Sequence, residues 1–365
     1  MKRNSTNPQR VLICRLSAIG DCVHTIPLAV KVKELWPDCK VTWVVDCVAA
    51  QLLQPHSAID EVIKIERHWI KNTALWKSLR KQLQQRRFDL ALDPQGLIKS
   101  GMLAWLSGAT TRVGFDYSHG RELAPMLANR RVSRTATHMV DTYLELLSPW
   151  QVTAPGRAEF RMPVYAAAEN VPSILRVSGL APHESFVCVT PGAGWATKLW
   201  PVERFAAVAK HIQTQHNLRT LVLWAGDAER AMAEEIAIQA GGSAVVAPKT
   251  SLTELAEIAR QAKLFLASDT GPLHISAAIG TRCIGLFGPT LGAEAGPYGS
   301  ANLSLQSPKP PGPRSMRKGD NSAMLAIGVD EVCRACTQLL QSPAQDKCPN
   351  ANRDPRSLHG ADVSL

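Results

Sequence analysis

No stretch of this 365-residue chain is apolar for long enough to cross a bilayer. The segment Met1 to Arg10 is polar and basic and has no apolar core behind it of the kind a secretory leader needs, so a cytoplasmic protein is expected. Aromatic residues make up only 5% of the chain and are not interleaved with the basic ones. Zinc-finger, helix-turn-helix and RNA-module patterns are missing too, which disfavours nucleic acid as a partner. The first apolar strand is followed by one glycine, Gly20, where the dinucleotide fingerprint GxGxxG needs three, and this disfavours a nicotinamide enzyme. The nine cysteines lie mostly inside apolar segments (Cys14, Cys39, Cys47, Cys188, Cys283), as small core residues kept reduced do. Cys333, Cys336 and Cys348 have the one spacing that could point to a metal. They lack a second ligand pair and have no histidine nearby until His359, so zinc is discounted.

What is present is the composition of a folded chain, 45% hydrophobic and 20% charged. The length exceeds one ordinary core and predicts two domains. A net charge of +10 favours acidic partners (nucleic acid, anionic lipid or a phosphorylated substrate) without choosing among them. The cluster Arg80, Lys81, Arg86 and Arg87 rides on a helix with Leu79 and Leu83 and reads as a solvated face.

Apolar periodicity predicts strands at 11–16, 40–46, 61–65, 88–93 and 111–115, with helices at 23–35, 73–87, 99–107 and 138–147. Pro149 to Pro163 reads as a linker. The alternation then restarts, with strands at 185–190, 219–224, 244–247 and 263–267 and helices at 202–215, 228–240 and 252–261. Residues 300–321, rich in Pro, Ser and Lys, read as a loop, 329–340 as a helix, and the polar remainder from 341 to 365 as disordered. The organisation is therefore α/β, with two doubly wound domains at 1–160 and 170–325 and a helix at 326–340. Ligands of such sheets bind beyond the carboxyl ends of the strands. The segments Ser17 to Asp21, Asp93 to Lys99, Pro191 to Lys198, Gly226 to Glu229 and Ser268 to His274 all follow predicted strands.

Ser268-Asp269-Thr270-Gly271-Pro272-Leu273-His274 reads as strand, tight turn and helix start, with Pro272 at the first helical position and Thr270 or Gly271 able to cap. Free N–H groups and the helix dipole at such a turn suit a phosphate, although an ordinary capped turn gives the same signal. Asp21 has two readings, a first-turn cap or a general base facing a cleft. Asp227 and Glu229 stand where they could meet ligand hydroxyls, and Asp227 is equally explained as a cap.

Four segments in order, Ser17 to Thr25, Asp93 to Ser100, Lys198 to Pro201 and Ser268 to His274, resemble glycosyltransferase family 9, and within it the lipopolysaccharide heptosyltransferases, type I in particular. The resemblance runs from about residue 10 to about residue 300. It implies the GT-B architecture, two Rossmann-like domains facing a central cleft. It also implies transfer of heptose, with inversion, from ADP-L-glycero-D-manno-heptose to Kdo-lipid A in lipopolysaccharide inner-core assembly. By the same resemblance Asp21 matches the catalytic base. Lys198, Asp269, Thr270, Gly271 and His274 match the donor site, to which Thr190, Gly192 and Glu229 are added from their places after strands. Gln95, Lys99, Arg112 and Arg121 fall in the half that binds the anionic glycolipid, although surface charge explains Lys99 and Arg112 as well. No Asp-x-Asp pair stands in the chain, so no metal and no cofactor besides the donor is expected. Peripheral contact with the anionic inner face of the inner membrane follows from the charge and the lipid acceptor. The segments 225–229 and 192–195 depart from the type I pattern. Another nucleotide-sugar or glycan acceptor is therefore the alternative, and a binding protein without turnover a further one.

Overall fold

A computed structural model of the protein describes residues 7–46, 48–66, 69–152, 158–309 and 319–343. In chain order the amino-terminal half forms β1 (Arg10–Cys14), α1 (Ile19–Leu35), β2 (Lys40–Asp46), α2 (Ala50–Leu53), β3 (Glu61–Ile65), α3 (Thr73–Gln84), β4 (Leu90–Asp93), α4 (Ile98–Leu106), β5 (Thr111–Phe115), α5 (Ala124–Leu127), β6 (Arg130–Val132) and α6 (Met139–Leu144). After α7 (Val171–Val177) the second half forms β7 (Phe186–Thr190), α8 (Val202–His216), β8 (Arg219–Val222), α9 (Asp227–Ala240), β9 (Ala244–Val246), α10 (Leu252–Gln261), β10 (Leu264–Ser268), α11 (Gly271–Ala278), β11 (Cys283–Phe287), α12 (Gly292–Ala295), β12 (Leu303–Gln306), α13 (Ser322–Leu325) and α14 (Val329–Gln341).

Both sheets are six-stranded, with orders β3-β2-β1-β4-β5-β6 and β12-β11-β10-β7-β8-β9, and every pairing is parallel. Counted within its own half each order is the doubly wound 3-2-1-4-5-6 arrangement, whose ligand crevice lies where the strand order reverses. That point falls between β1 and β4 in one half and between β7 and β10 in the other. The strands read as unbroken apolar runs because both faces are covered. Val11 and Ile13 of β1 face the core shared with α1, whereas Leu12 and Cys14 face the one under α3 and α4. Phe186 and Cys188 of β7 join the first of these cores, and Val187 and Val189 pack instead on α8, α9 and α14. One apolar cluster thus runs through both halves. The crossing chain reinforces it: Tyr165 donates from its backbone to Glu257 at 2.9 Å and from its hydroxyl to Leu52 at 3.1 Å.

Several predicted boundaries shift. Helix α1 begins at Ile19 rather than residue 23, because the Asp21 carboxylate accepts the Ala18 N–H at 3.2 Å and completes the first turn. The helix expected at 138–147 ends at Leu144 and continues as a 3-10 turn over Glu145–Trp150 that contains Pro149. Helix α3 stops at Gln84, short of Arg87, which takes a left-handed φ of 50°. The loop expected at 300–321 contains β12. Leu303 and Leu305 of this edge strand pack on the outer core, and the Pro-rich composition begins only after it. Pro272 lies inside the first turn of α11 behind the cap position Thr270, whose side chain makes no capping bond. Strands β6 and β11 are further additions to the sequence reading. Cys47, Cys348 and the tail beyond 343 lie outside the described residues, whereas Cys333 and Cys336 are free and buried in the apolar face of α14.

Candidate active site

The amino-terminal half of the cleft is organised by a charge at the end of β1. Arg15 is 4% exposed. Its guanidinium donates to Pro94 O at 3.1 Å, pairs with Asp21 Oδ1 at 2.7 Å and lies over the Tyr143 ring at 5.1 Å. The Tyr143 hydroxyl donates to the same Oδ1 at 3.4 Å. Two neighbours therefore hold one oxygen of Asp21, while its side chain keeps 41% of its surface exposed in the cleft. Burial pushes the Tyr143 hydroxyl far above its usual range, so it acts as a donor and not a base. Beside β1, the Asp93 carboxylate caps the turn after β4 by accepting from Gln95 and Gly96, both at 3.1 Å. Burial raises its carboxyl to about 6. Gln95 in turn accepts the Leu16 N–H at 2.8 Å and ties the two switch-point loops together.

The carboxyl-terminal half contributes cations and hydroxyls. Lys198, 9% exposed, pairs with Asp269 Oδ2 at 2.5 Å and stands 4.2 Å from the Trp195 ring centroid. Thr290 donates to the same Oδ2 at 2.9 Å, and His274 Nε2 lies 3.2 Å from Oδ1. Burial alone would raise the Asp269 carboxyl. The His274 hydrogen bond, with the charge and hydrogen bond of Lys198, overcomes it and holds the group well below the ordinary carboxylate range. Around this pair the hydroxyl oxygens of Thr190, Thr197, Ser268 and Thr270 are buried with no partner in the protein. Thr190, Ser268 and Thr270 stand at or just past the ends of β7 and β10, so their unmet hydroxyls are available to a polar ligand there. Glu229 accepts the Ala225 N–H at 2.8 Å and lies so close to the Gly192 backbone that a Cβ there would stand 2.7 Å from its Cγ. Burial raises the Glu229 carboxyl.

The two halves meet at the starts of α1 and α11. A Cβ on Gly271 would stand 3.0 Å from the Ile19 Cγ2. Gly20 lies against the His274 ring, and His24 Nε2 lies 3.1 Å from His274 Nδ1. Two helix amino termini brought together add positive potential, and Asp21 and Asp269 offset it. The halves are also joined where His138 Nε2 contacts Gly296 O at 3.0 Å, Tyr298 donates to Asp141 at 2.8 Å and Arg134 pairs with Glu294 at 3.3 Å.

Of the residues singled out in the sequence, Asp21, Lys198, Asp269, Thr270, Gly271, His274, Thr190 and Gly192 fall at the two switch points, and Glu229, on α9 after β8, reaches Gly192 beside one of them. The acceptor candidates divide. Gln95 is buried at the cleft with its carbonyl engaged by Leu16, and the Arg121 backbone bonds to Gly96 beside it at 2.8 Å. Lys99 is exposed on α4. Arg112 does not reach the cleft. It is the second residue of β5, at the amino ends of the strands, and its guanidinium is bound by the carbonyls of Leu127 and Ala109 at 3.1 and 3.0 Å. Arg15, Tyr143 and Thr290 lie outside the segments singled out in the sequence, whereas His24 and Ser268 lie inside two of them without an individual role. A charge at the end of an apolar strand is the available signal for Arg15, and Tyr143 and Thr290 have none. Among the described residues no helix is long and apolar enough to cross a membrane.

The model of "Glycosyltransferase family 9 (heptosyltransferase)" matches residues 76–322. Lipopolysaccharide heptosyltransferase 1 of Pseudomonas aeruginosa is 28% identical over 315 residues, covering 83% of this chain and 85% of that protein. The protein of the same name from Escherichia coli K12 is 28% identical over 309 residues, covering 82% and 94%. The solved E. coli heptosyltransferase WaaC with ADP superposes with a TM-score of 0.73 at 24% identity over 90% of this chain and 99% of that one, a likeness of fold.

Proposed function

The chain belongs to glycosyltransferase family 9, and from that premise we propose that it is a heptosyltransferase of lipopolysaccharide core assembly, moving heptose with inversion from ADP-L-glycero-D-manno-heptose to the Kdo of Kdo-lipid A. The observation that carries this reading is the division of charge across the cleft. The carboxylate of Asp21, paired with Arg15, faces it from one switch point, and Lys198, paired with Asp269, faces it from the other.

In this reading Asp21 takes the proton of the attacking Kdo hydroxyl. Arg15 and the Tyr143 hydroxyl hold Oδ1 while the Ala18 N–H bonds Oδ2 at 3.2 Å, which fixes the carboxylate plane and leaves Oδ2 a lone pair for the acceptor hydroxyl. Attack displaces ADP, and negative charge grows on its diphosphate. Lys198 and the free N–H groups at the start of α11 meet that charge without having to reorganise. Thr190, Ser268 and Thr270 supply the hydroxyls that the donor's polar groups satisfy, and Glu229 accepts from its sugar or ribose hydroxyls. With a lysine and a helix start at the leaving group, the proposed reaction needs no metal. Gln95, Lys99 and Arg121 border the acceptor side, where cations suit Kdo carboxylates and lipid phosphates. Peripheral attachment to the anionic cytoplasmic leaflet belongs to the same reading.

The test is release of ADP with Kdo-lipid A, with mass spectrometry of the lipid. Asp21→Asn is expected to lower kcat by about 10²- to 10⁴-fold, the usual contribution of a positioned base, with the donor KM changed only a few-fold. Turnover of the variant at the wild-type rate would remove Asp21 from its role. Transfer from GDP- or UDP-sugars in preference to ADP-heptose would replace the donor assignment while leaving the mechanism.

A further inference from the structure

His24 lies outside the base and the donor clamp just described. It is 3% exposed on the amino-terminal half, on the same helix as Asp21 and one turn further along. Its Nε2 lies 3.1 Å from His274 Nδ1, a contact between residues 250 apart that links the two domains, and its own Nδ1 is buried without a partner. The protonation pattern of the pair follows from its far end. Asp269 is ionised and can only accept, so His274 Nε2 must carry a hydrogen to bond Oδ1. A His274 that carries this one proton has a bare Nδ1, and His24 Nε2–H is then the donor to it. The groups that face His24 are His274, His138, Asp269 and Arg15, and burial together with the two histidines keeps its imidazole neutral.

We propose that His24 is a positioning residue for the donor clamp: from the opposite domain it fixes the ring and the tautomer of His274, and through that ring the Asp269 carboxylate that orients Lys198. The proposal rests on the reading of Lys198 and Asp269 as the diphosphate clamp. It adds that the clamp is completed only when the amino-terminal domain is in place. Asp21 and His24 share α1, so one rigid movement of that helix start brings the base to the acceptor and locks the leaving-group side together.

The experiment compares His24→Gln, which retains an N–H close to the Nε2 position, with His24→Leu, which removes it. Heptose transfer, ADP affinity and histidine ¹⁵N spectra are followed in the full chain. His24→Leu is expected to lower kcat by about 10- to 100-fold, the scale of a misplaced reacting group. ADP affinity should change less than about threefold, since His24 acts through a ring and does not touch the nucleotide, and His24→Gln should recover most of the rate. In wild type the His274 spectrum should show a protonated Nε2 and an accepting Nδ1, and that pattern should be lost in His24→Leu. The proposal is overturned if folded His24→Leu turns over within about threefold of wild type, or if His24→Gln is as impaired as His24→Leu. A wild-type His274 protonated on Nδ1 alone overturns it as well, and this readout stands even where His24→Leu does not fold. A wild-type protein that transfers no heptose would instead overturn the functional reading, and the tautomer result would remain separate from it.

Discussion

A single methyl group at Gly20 tests whether the apposed helix starts are the working state. A Cβ on Gly20 would overlap the Cδ2 of His274 and stand 3.2 Å from its Nε2. The ring has little room to yield, because its nitrogens lie 3.1 Å from His24 and 3.2 Å from Asp269. Relief requires either that the domains separate or that the ring turns and gives up Asp269. Overpacking of this kind costs roughly 1–3 kcal/mol, and losing a hydrogen bond to a charged group adds about 1.5–3 kcal/mol where it occurs. A penalty of about 3 kcal/mol on the closed arrangement lowers its population about 150-fold, at about 1.4 kcal/mol per decade. The separated domains bear none of it, and alanine is the better helix former by up to about 1 kcal/mol. Gly20→Ala should therefore melt within a few degrees of wild type yet release ADP about 100-fold more slowly, with a larger radius of gyration by small-angle scattering. A variant with wild-type kcat and wild-type dimensions would refute the reasoning, since the helix starts would then not need to meet.

Asp93 predicts a pH dependence of stability. Its carboxyl is raised from 3.8 to about 6 by burial. Below pH 4 both states are protonated, and as the pH rises toward 6 the unfolded chain ionises first. Folding stability is therefore lost through that window, by roughly 3 kcal/mol. Asp93→Asn should flatten the pH 4–7 unfolding curve, and an unchanged slope would show that another group is responsible. Gly192→Ala must displace Glu229 from Ala225, because the added Cβ would stand 2.7 Å from its Cγ. The donor KM is expected to rise about tenfold with kcat less affected, and equal donor titrations for the two proteins would remove Glu229 from the donor site. Excess EDTA should leave heptose transfer within about twofold of the control, and restoration of lost activity by a divalent ion would contradict the lysine-based clamp. Association with anionic vesicles should fall as salt rises from about 0.1 to 0.5 M, whereas equal binding to neutral vesicles would contradict a charge-driven membrane contact.

Much of the fold could be read locally, because its signals are local. The strands at 40–46, 61–65 and 111–115 keep their predicted bounds, since each is an apolar or β-branched run closed by polar residues. Helix α10 begins at Leu252 because Ser251 and Glu254 form a reciprocal capping box just before it. Strand β12 was hidden by averaging, its four residues lying at the head of a segment dominated by proline and serine. The site was legible where a motif sits at a strand end and illegible where a partner is remote. Tyr143 reaches Asp21 across 122 residues, and His24 reaches His274 across 250. The opposite error has the same origin. Arg112 looked like an acceptor cation until the sheet placed it at the amino edge of β5, where two carbonyls hold it.

Placing the base and the leaving-group clamp on different domains has a chemical consequence. A nucleotide-sugar is prone to hydrolysis whenever an activated water can reach its anomeric carbon while the departing diphosphate is stabilised. In this fold Lys198, Asp269 and the hydroxyls at the ends of β7 and β10 all belong to one domain, so the donor can be held there with no carboxylate poised opposite. Asp21 arrives on α1, and the same helix carries Gly20 and His24, which close on His274. On the proposed roles, base and completed clamp would assemble in one movement, at the moment an acceptor hydroxyl fills the space that water would otherwise occupy. On this reading Gly20→Ala and His24→Leu should slow transfer to the acceptor and slow wasteful hydrolysis of the donor by similar factors. A variant that lost transfer while hydrolysing ADP-heptose faster than wild type would show that base and clamp are not coupled through α1.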